Sequence, residues 1–131
     1  VAIASVLAMQ PDVLVLDEPT SFLDPLGAKK IFEVIADLNK RLGITVILVE
    51  HRLDLTAQYA SHVVIMDKGT VVLDGKPQDI FNMEEARLIG VGIPKATRLF
   101  QILEENGIHA KDTPISSEEA AEFLRSILTH D

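Results

Sequence analysis

The stretch that most constrains this chain is a run of four apolar residues that ends directly in two carboxylates. Residues 13–16 are Val-Leu-Val-Leu, and Asp17, Glu18 and Pro19 follow them. An uninterrupted apolar run of this length is typical of a strand buried on both faces, as in a parallel sheet. Pro19 ends the strand because it lacks an N–H and fixes φ. Both carboxylates are therefore expected at the carboxyl end of a central strand, where open α/β sheets bind their ligands.

A second buried strand is predicted over residues 44–49, and it ends in Glu50 and His51. The residues between the two strands predict a helix over 25–42, with Asp24 as its cap and Gly43 as its terminator. Strand, helix and strand then form a βαβ unit, in which both strands end at the same edge of the sheet. We expect the side chains of Asp17, Glu18 and His51 to converge at that edge.

This trio suits chemistry on a phosphate. One carboxylate can hold a hard cation through oxygen, and the other can orient a nucleophile. An imidazole can donate a hydrogen bond to a phosphate oxygen. Two alternatives need no chemistry: Asp17 and Glu18 could simply turn the strand into a loop, and a lone histidine at a strand end could be structural or solvated.

The twelve residues Val-Leu-Val-Leu-Asp-Glu-Pro-Thr-Ser-Phe-Leu-Asp at 13–24 resemble the Walker B segment and D-loop of ABC-type ATPases. Glu50 and His51 resemble the switch-histidine segment of that family, and a Glu before the His points to its energy-coupling factor or cobalt-type branch. The resemblance implies that Asp17 serves Mg²⁺, that Glu18 is the catalytic base and that His51 contacts the γ-phosphate of ATP. It places Asp24 in the D-loop, at the nucleotide across an ATPase dimer.

Two further motifs of the family have no counterpart in the sequence. There is no G-x-x-x-x-G-K-[ST] phosphate loop and no Leu-Ser-Gly-Gly-Gln string. The resemblance therefore implies the second half of a nucleotide-binding domain, and we expect the chain alone to bind ATP weakly. A gap in the sheet is also expected. It would expose Val46, Leu48 and Val64, and the chain would then form a dimer or larger species or else fold poorly in this region.

The character of the sequence changes near residue 82, and Gly90, Gly92 and Pro94 predict a linker over 88–93. Two amphipathic helices are predicted beyond it. The first has an apolar face of Leu99, Ile102 and Leu103, and the second turns inward Phe123, Leu124 and Ile127. This part resembles the carboxyl-terminal extension of energy-coupling factor ATPases, which helps to pair two ATPase subunits. Alternatively, the helices only cover the sheet. The predicted domains are 1–82 and 83–131.

The sequence thus predicts an α/β fold: the second half of a P-loop ABC-type nucleotide-binding domain, mainly a parallel sheet, with a small helical extension. The implied protein is an ATP-hydrolysing subunit of an energy-coupling factor or cobalt-type uptake transporter. Its cofactors would be ATP and Mg²⁺. Its partners would be a second ATPase subunit and transmembrane transporter subunits, at the cytoplasmic face of the membrane.

Bulk properties fit this interpretation and narrow the alternatives. The net charge of −8 and the lack of a basic patch argue against nucleic acid as a general partner. With no cysteine, disulfides and thiolate metal sites are excluded. A head domain of a DNA-repair or chromosome-structure ATPase is disfavoured, because no heptad run for a coiled coil is present. A non-catalytic interaction or regulatory fragment remains an alternative, because the phosphate-binding half is missing.

Overall fold

The structure is a computed structural model that describes residues 2–128, in which helices and strands alternate along the first half of the chain. The strands are β1 (Val13–Asp17), β2 (Thr45–Val49), β3 (Val63–Asp67) and β4 (Thr70–Gly75). The helices are α1 (Ala2–Leu7), α2 (Pro25–Leu42), α3 (Leu53–Tyr59), α4 (Pro77–Asn82), α5 (Glu84–Leu88), α6 (Lys95–Glu105) and α7 (Ser117–Leu128). The chain divides into two compact units, Val1–His51 and Arg52–Asp131.

The first unit is the predicted βαβ unit. β1 and β2 pair in parallel, with Leu14 opposite Val46 and Asp17 opposite Val49. Helix α2 connects them and has the predicted bounds. The helix ends at Gly43, whose φ of 66° lies in the left-handed region that favours glycine.

One face of this parallel pair is buried and the other is exposed. Leu14 is buried on the inner face, whereas Val15 and Ile47 on the outer face are 62% and 51% exposed. The prediction that β1 is buried on both faces is therefore wrong for the chain as described. The residues expected to become exposed also differ. Val64 is exposed as predicted, but Val46 and Leu48 are partly buried, because the period of two turns Ile47 and Val49 outward instead.

The second unit begins with α3 and is organised around an antiparallel hairpin. β3 and β4 pair with Asp67 opposite Thr70, and Lys68 and Gly69 make the turn with φ values of 49° and 78°. A hydrophobic cluster forms beneath the hairpin and contains Ala57, Val63, Ile65, Ile80, Phe81, Ala86 and Ile115. Because Ile115 comes from the segment before α7, the chain beyond α5 contributes to the hairpin's core. Ile115 lies outside α6 and α7, so covering of the sheet by these helices and pairing of subunits through them both stay predictions.

Helices α6 and α7 pack on each other through a second cluster. Phe100 is fully buried and meets Phe123 edge-to-face, with 5.0 Å between ring centroids and 74° between planes. The face predicted for α6 is partly wrong. Its buried residues are Ala96, Thr97 and Phe100, whereas Leu99 and Ile102 are exposed. The predicted inward position of Ile127 on α7 is also wrong, since that side chain is exposed.

Strand pairing divides the chain into two separate two-stranded sheets, β1–β2 and β3–β4. Among the described residues β2 and β3 do not pair with each other, and a gap within one continuous sheet stays a prediction. The chain passes from one compact unit to the other after His51, not at residue 82. As a division of function, that boundary stays a prediction. Within residues 2–128, no helix combines the length and apolarity needed to cross a bilayer.

Candidate functional site

The predicted site lies where β1 and β2 end side by side. Asp17 is the last residue of β1, and Glu18 leaves the strand with a φ of 43°. The backbone N–H of Glu18 donates to the carbonyl oxygen of Val49 at 2.9 Å, which holds the two strand ends together. Oε1 of Glu18 then lies 3.9 Å from Nδ1 of His51. The structure therefore brings Glu18 and His51 together as predicted, with Asp17 opposite Val49, two residues before His51.

The loop from Glu18 to Asp24 is ordered by its own hydrogen bonds. Ser21 N–H donates to the Glu18 carbonyl at 3.2 Å, and Leu23 N–H donates to the Thr20 carbonyl at 3.0 Å. The loop runs into α2 at Asp24, so helix capping fixes where the loop ends.

Asp24 is engaged in capping rather than grouped with Glu18 and His51. Its Oδ1 accepts the Gly27 N–H at 2.6 Å, as expected of an N-cap. A Cβ at Gly27 would lie 3.0 Å from this oxygen, so glycine permits the close approach. Asp24 as a nucleotide ligand stays a prediction, and the structure adds a structural use for the same carboxylate.

Glu50 is the residue that sequence reasoning missed at this edge. Its side chain is only 2% exposed, although it directly precedes the half-exposed His51. Oε1 accepts a hydrogen bond from the hydroxyl of Thr20, and Oε2 accepts the backbone N–H of His51 at 3.0 Å. The available signal was positional: a carboxylate directly after a buried strand, next to a second strand end that carries a hydroxyl.

The electrostatics of the site are those of an open surface. The side chains of His51 and Glu18 are 63% and 54% exposed, so water screens their attraction at 3.9 Å. Nδ1 of His51 is also 3.9 Å from Oε2 of Glu50. The imidazole therefore lies within reach of two carboxylates of very different exposure, one open to a ligand and one enclosed.

The residues at this edge do not form a metal cage by themselves. Across the described residues, no group of three or more His, Cys, Asp or Glu side chains is arranged to hold a metal ion. Mg²⁺ is usually held through one or two carboxylates, with waters and substrate phosphates completing its shell. A single carboxylate such as Asp17 fits that kind of shared site.

The family is identified by individual relatives among curated proteins and solved structures, and not by a family model. No protein-family model matches the chain. The energy-coupling factor transporter ATP-binding protein EcfA2 of Streptococcus pyogenes is 46% identical over an alignment of 129 residues, and the match covers 95% of this chain and 45% of that protein. The structure of cbiO1 from Clostridium perfringens, described as part of the ABC transporter complex cbiONQ, matches with a TM-score of 0.60 and 38% identity. The match covers 79% of this chain and 40% of that one.

The chain belongs to the ABC-type ATPases. A further ABC ATPase structure, an ATP-binding cassette in its ADP conformation, matches with a TM-score of 0.61 and 29% identity over 69% of this chain and 37% of that one. The predicted family and α/β fold class are confirmed. The chain spans less than half the length of the curated relatives it matches, 44% to 45%. The ABC ATPase relationship thus covers nearly all of this chain, and this chain covers only part of each relative.

Proposed function

We propose that this chain carries the hydrolytic carboxylate and the switch histidine of an ATP-hydrolysing subunit in an energy-coupling factor or cobalt-type uptake transporter. The observation that carries the proposal is the edge shared by β1 and β2. There, Oε1 of Glu18 and Nδ1 of His51 are 3.9 Å apart, and Asp17 is in register with Val49. Phosphoryl transfer requires groups positioned in this way, because its catalysis is mostly positioning and electrostatics.

Each residue has a role that its environment suits. Glu18 is the general base, since its half-exposed carboxylate can reach a water beside the substrate. His51 is the γ-phosphate contact, because its exposed ring can donate to a phosphate oxygen. Asp24 lies at the end of the same loop and caps α2. Its proposed functional role, in addition to capping, is at the interface with a second ATPase subunit.

Asp17 would hold Mg²⁺ together with phosphate oxygens and water. When bound, the ion would neutralise charge on the phosphates. Asp17 is suited to this because it ends a strand that is hydrogen-bonded to its neighbour along its length, which fixes its backbone. Because the backbone is fixed, the Asp17 carboxylate has a defined position from which it could bind the ion.

The partners follow from the relatives. The Streptococcus pyogenes protein is named an energy-coupling factor transporter ATP-binding protein, and cbiO1 is described as part of a transporter complex. We infer that this chain works with a second ATPase subunit and with transmembrane subunits, at the cytoplasmic face of the membrane.

A second candidate is a non-catalytic interaction or regulatory module of the same family. The observation that favours it is the absence of a G-x-x-x-x-G-K-[ST] string from the sequence, since that loop supplies most of the phosphate contacts. Calorimetric titration of Mg-ATP into the chain tests the first step. We expect binding weaker than micromolar, and micromolar affinity would contradict the view that phosphate contacts must come from outside these residues.

The decisive test is Glu18→Gln in an ATPase that contains this chain together with a phosphate loop. The amide keeps the shape of the side chain but cannot accept a proton, so hydrolysis should fall by about 10²–10⁴-fold while ATP binding persists. Glu33→Gln, on the exposed face of α2, is the matched control and should leave turnover unchanged. Near-normal turnover in Glu18→Gln would move the base elsewhere, with His51 the first residue to examine.

A further inference from the structure

Glu50 and Thr20 form a buried pair that joins the two segments carrying Glu18 and His51. Thr20 is fully buried, and the side chain of Glu50 is 2% exposed. A carboxylate is costly to bury unless hydrogen bonds compensate it. Here each oxygen has a different partner: Oε1 takes the Thr20 hydroxyl from the loop after β1, and Oε2 takes the His51 N–H from the segment after β2.

The connections place this pair next to both functional side chains. Thr20 is separated from Glu18 only by Pro19, whose ring fixes one backbone dihedral between them. Glu50 directly precedes His51. Together with the hydrogen bond from Glu18 N–H to the Val49 carbonyl, the pair closes a ring of contacts around the strand ends.

The contact between Glu18 and His51 cannot set their separation by itself. Both side chains are more than half exposed, and a contact of 3.9 Å between exposed side chains contributes little, because water and salt screen even fully charged pairs. Hydrogen bonds to a buried carboxylate are charge-assisted, shorter and about twice as strong as neutral ones. Of the two pairs, the enclosed one is therefore the stronger constraint on the two segments that carry Glu18 and His51.

We propose that Glu50 and Thr20 are positioning residues that fix the separation between the Glu18 carboxylate and the His51 imidazole. The proposal rests on the function proposed above, because it gives those two groups a shared reaction. The physical reason for such a device is the sensitivity of catalysis to position: a displacement of about 1 Å can reduce a rate about 10²-fold.

The first experiment measures, on the chain itself, how strongly the two strand ends are ordered. Thr20→Val removes the hydroxyl at nearly constant volume, whereas Thr20→Ser keeps the hydroxyl. Residue-resolved amide hydrogen exchange should show the N–H groups of His51 and Glu18 exchanging about tenfold faster or more in Thr20→Val, as expected for a lost buried hydrogen bond. Thr20→Ser should remain close to wild type, as should Thr45→Val, which changes an exposed threonine of β2. Unchanged exchange in Thr20→Val would overturn the proposal.

The second experiment separates positioning from simple structural support, in an ATPase that contains this chain. Thr20→Val should lower kcat about tenfold or more with the KM for ATP within about twofold, and Thr20→Ser should restore kcat. Faster exchange with an unchanged kcat would overturn the positioning role and leave the proposed function standing. Wild-type turnover in Glu18→Gln would instead overturn the proposed role of Glu18 as the base, and the positioning role with it.

A second pair of variants keeps the test decisive if Thr20→Val does not fold. Glu50→Gln can still accept the His51 N–H and can donate its amide to the Thr20 hydroxyl, so the ring of contacts survives. Glu50→Leu, of similar size, removes both hydrogen bonds. We expect Glu50→Leu to lose kcat as Thr20→Val does. Glu50→Gln should retain most of the wild-type kcat. Equal turnover in the two variants would contradict the proposal.

Discussion

The two compact units of this chain bury their sheets to different degrees. In the second unit, the inner face of the β3–β4 hairpin packs on helices and on Ile115, and α6 and α7 add a second cluster around Phe100. In the first unit, β1 and β2 have one helix between them in sequence and an outer face of Val13, Val15, Ile47 and Val49 that is exposed.

Both sheets expose apolar residues on one face, since Val64 and Val71 of the hairpin are also exposed. The difference lies in what each kind of sheet tolerates. Antiparallel sheets commonly have one solvated face, whereas parallel sheets occur almost only with both faces covered. The exposed face of β1 and β2, in the unit that carries Asp17, Glu18 and His51, is therefore the one more in need of another protein surface packed on it.

Phe100→Ala should have the largest effect on stability. The ring is fully buried against Phe123, so its removal leaves a cavity and should cost about 3–5 kcal/mol in the free energy of unfolding. Urea unfolding gives the value, and hydrogen exchange shows where protection is lost. We expect the loss to be confined to the second unit.

The neighbouring Leu99 supplies the control for that measurement. Its side chain is exposed, so Leu99→Ala should cost less than about 1 kcal/mol. Equal loss of protection in both units on Phe100→Ala would contradict the expected difference between them, because it would show that the units unfold together.

Substitution on the outer face of the parallel pair should have a smaller effect on folding and a specific effect on association. We expect the wild-type chain to be a dimer or larger, because a contiguous exposed apolar face drives association. Val15→Thr combined with Ile47→Thr keeps β-branched residues in both strands and makes the face polar. Light scattering should show a shift toward monomer.

Val71→Thr is the matched control on the hairpin, where the valine is exposed to the same extent as Ile47. It should leave association unchanged. If Val71→Thr dissociates the oligomer and the β1–β2 variant does not, association is driven by the hairpin sheet and not by the parallel pair. A well-folded wild-type chain that stays monomeric at high concentration would contradict the expectation altogether.

The sequence predicted the elements whose signals are local. Asp24, Pro25 and Gly43 mark both ends of α2, and the structure has the helix within those bounds. The edge shared by Glu18 and His51 was predictable because parallel strands joined by one helix must end together.

What the sequence did not predict depends on contacts between distant residues. One partner of Glu50 is Thr20, thirty positions earlier, and the strand-end position of Glu50 marks the residue without indicating that a distant hydroxyl helps to enclose its carboxylate. The face of α6 was misassigned because Leu99 and Ile102 are larger and more apolar than Ala96 and Thr97. The closest packing nevertheless uses the small residues, and the Thr97 hydroxyl donates to the Pro114 carbonyl at 3.1 Å.

The backbone at Glu18 has a consequence for how position 18 responds to substitution. A φ of 43° costs an ordinary L-residue about 1–2 kcal/mol, and a residue before proline normally prefers an extended backbone. Glycine would relieve this strain but would lack the carboxylate. Stability and activity therefore favour different residues at position 18: a search for more stable variants would select against Glu18, and a search for more active ones would retain it.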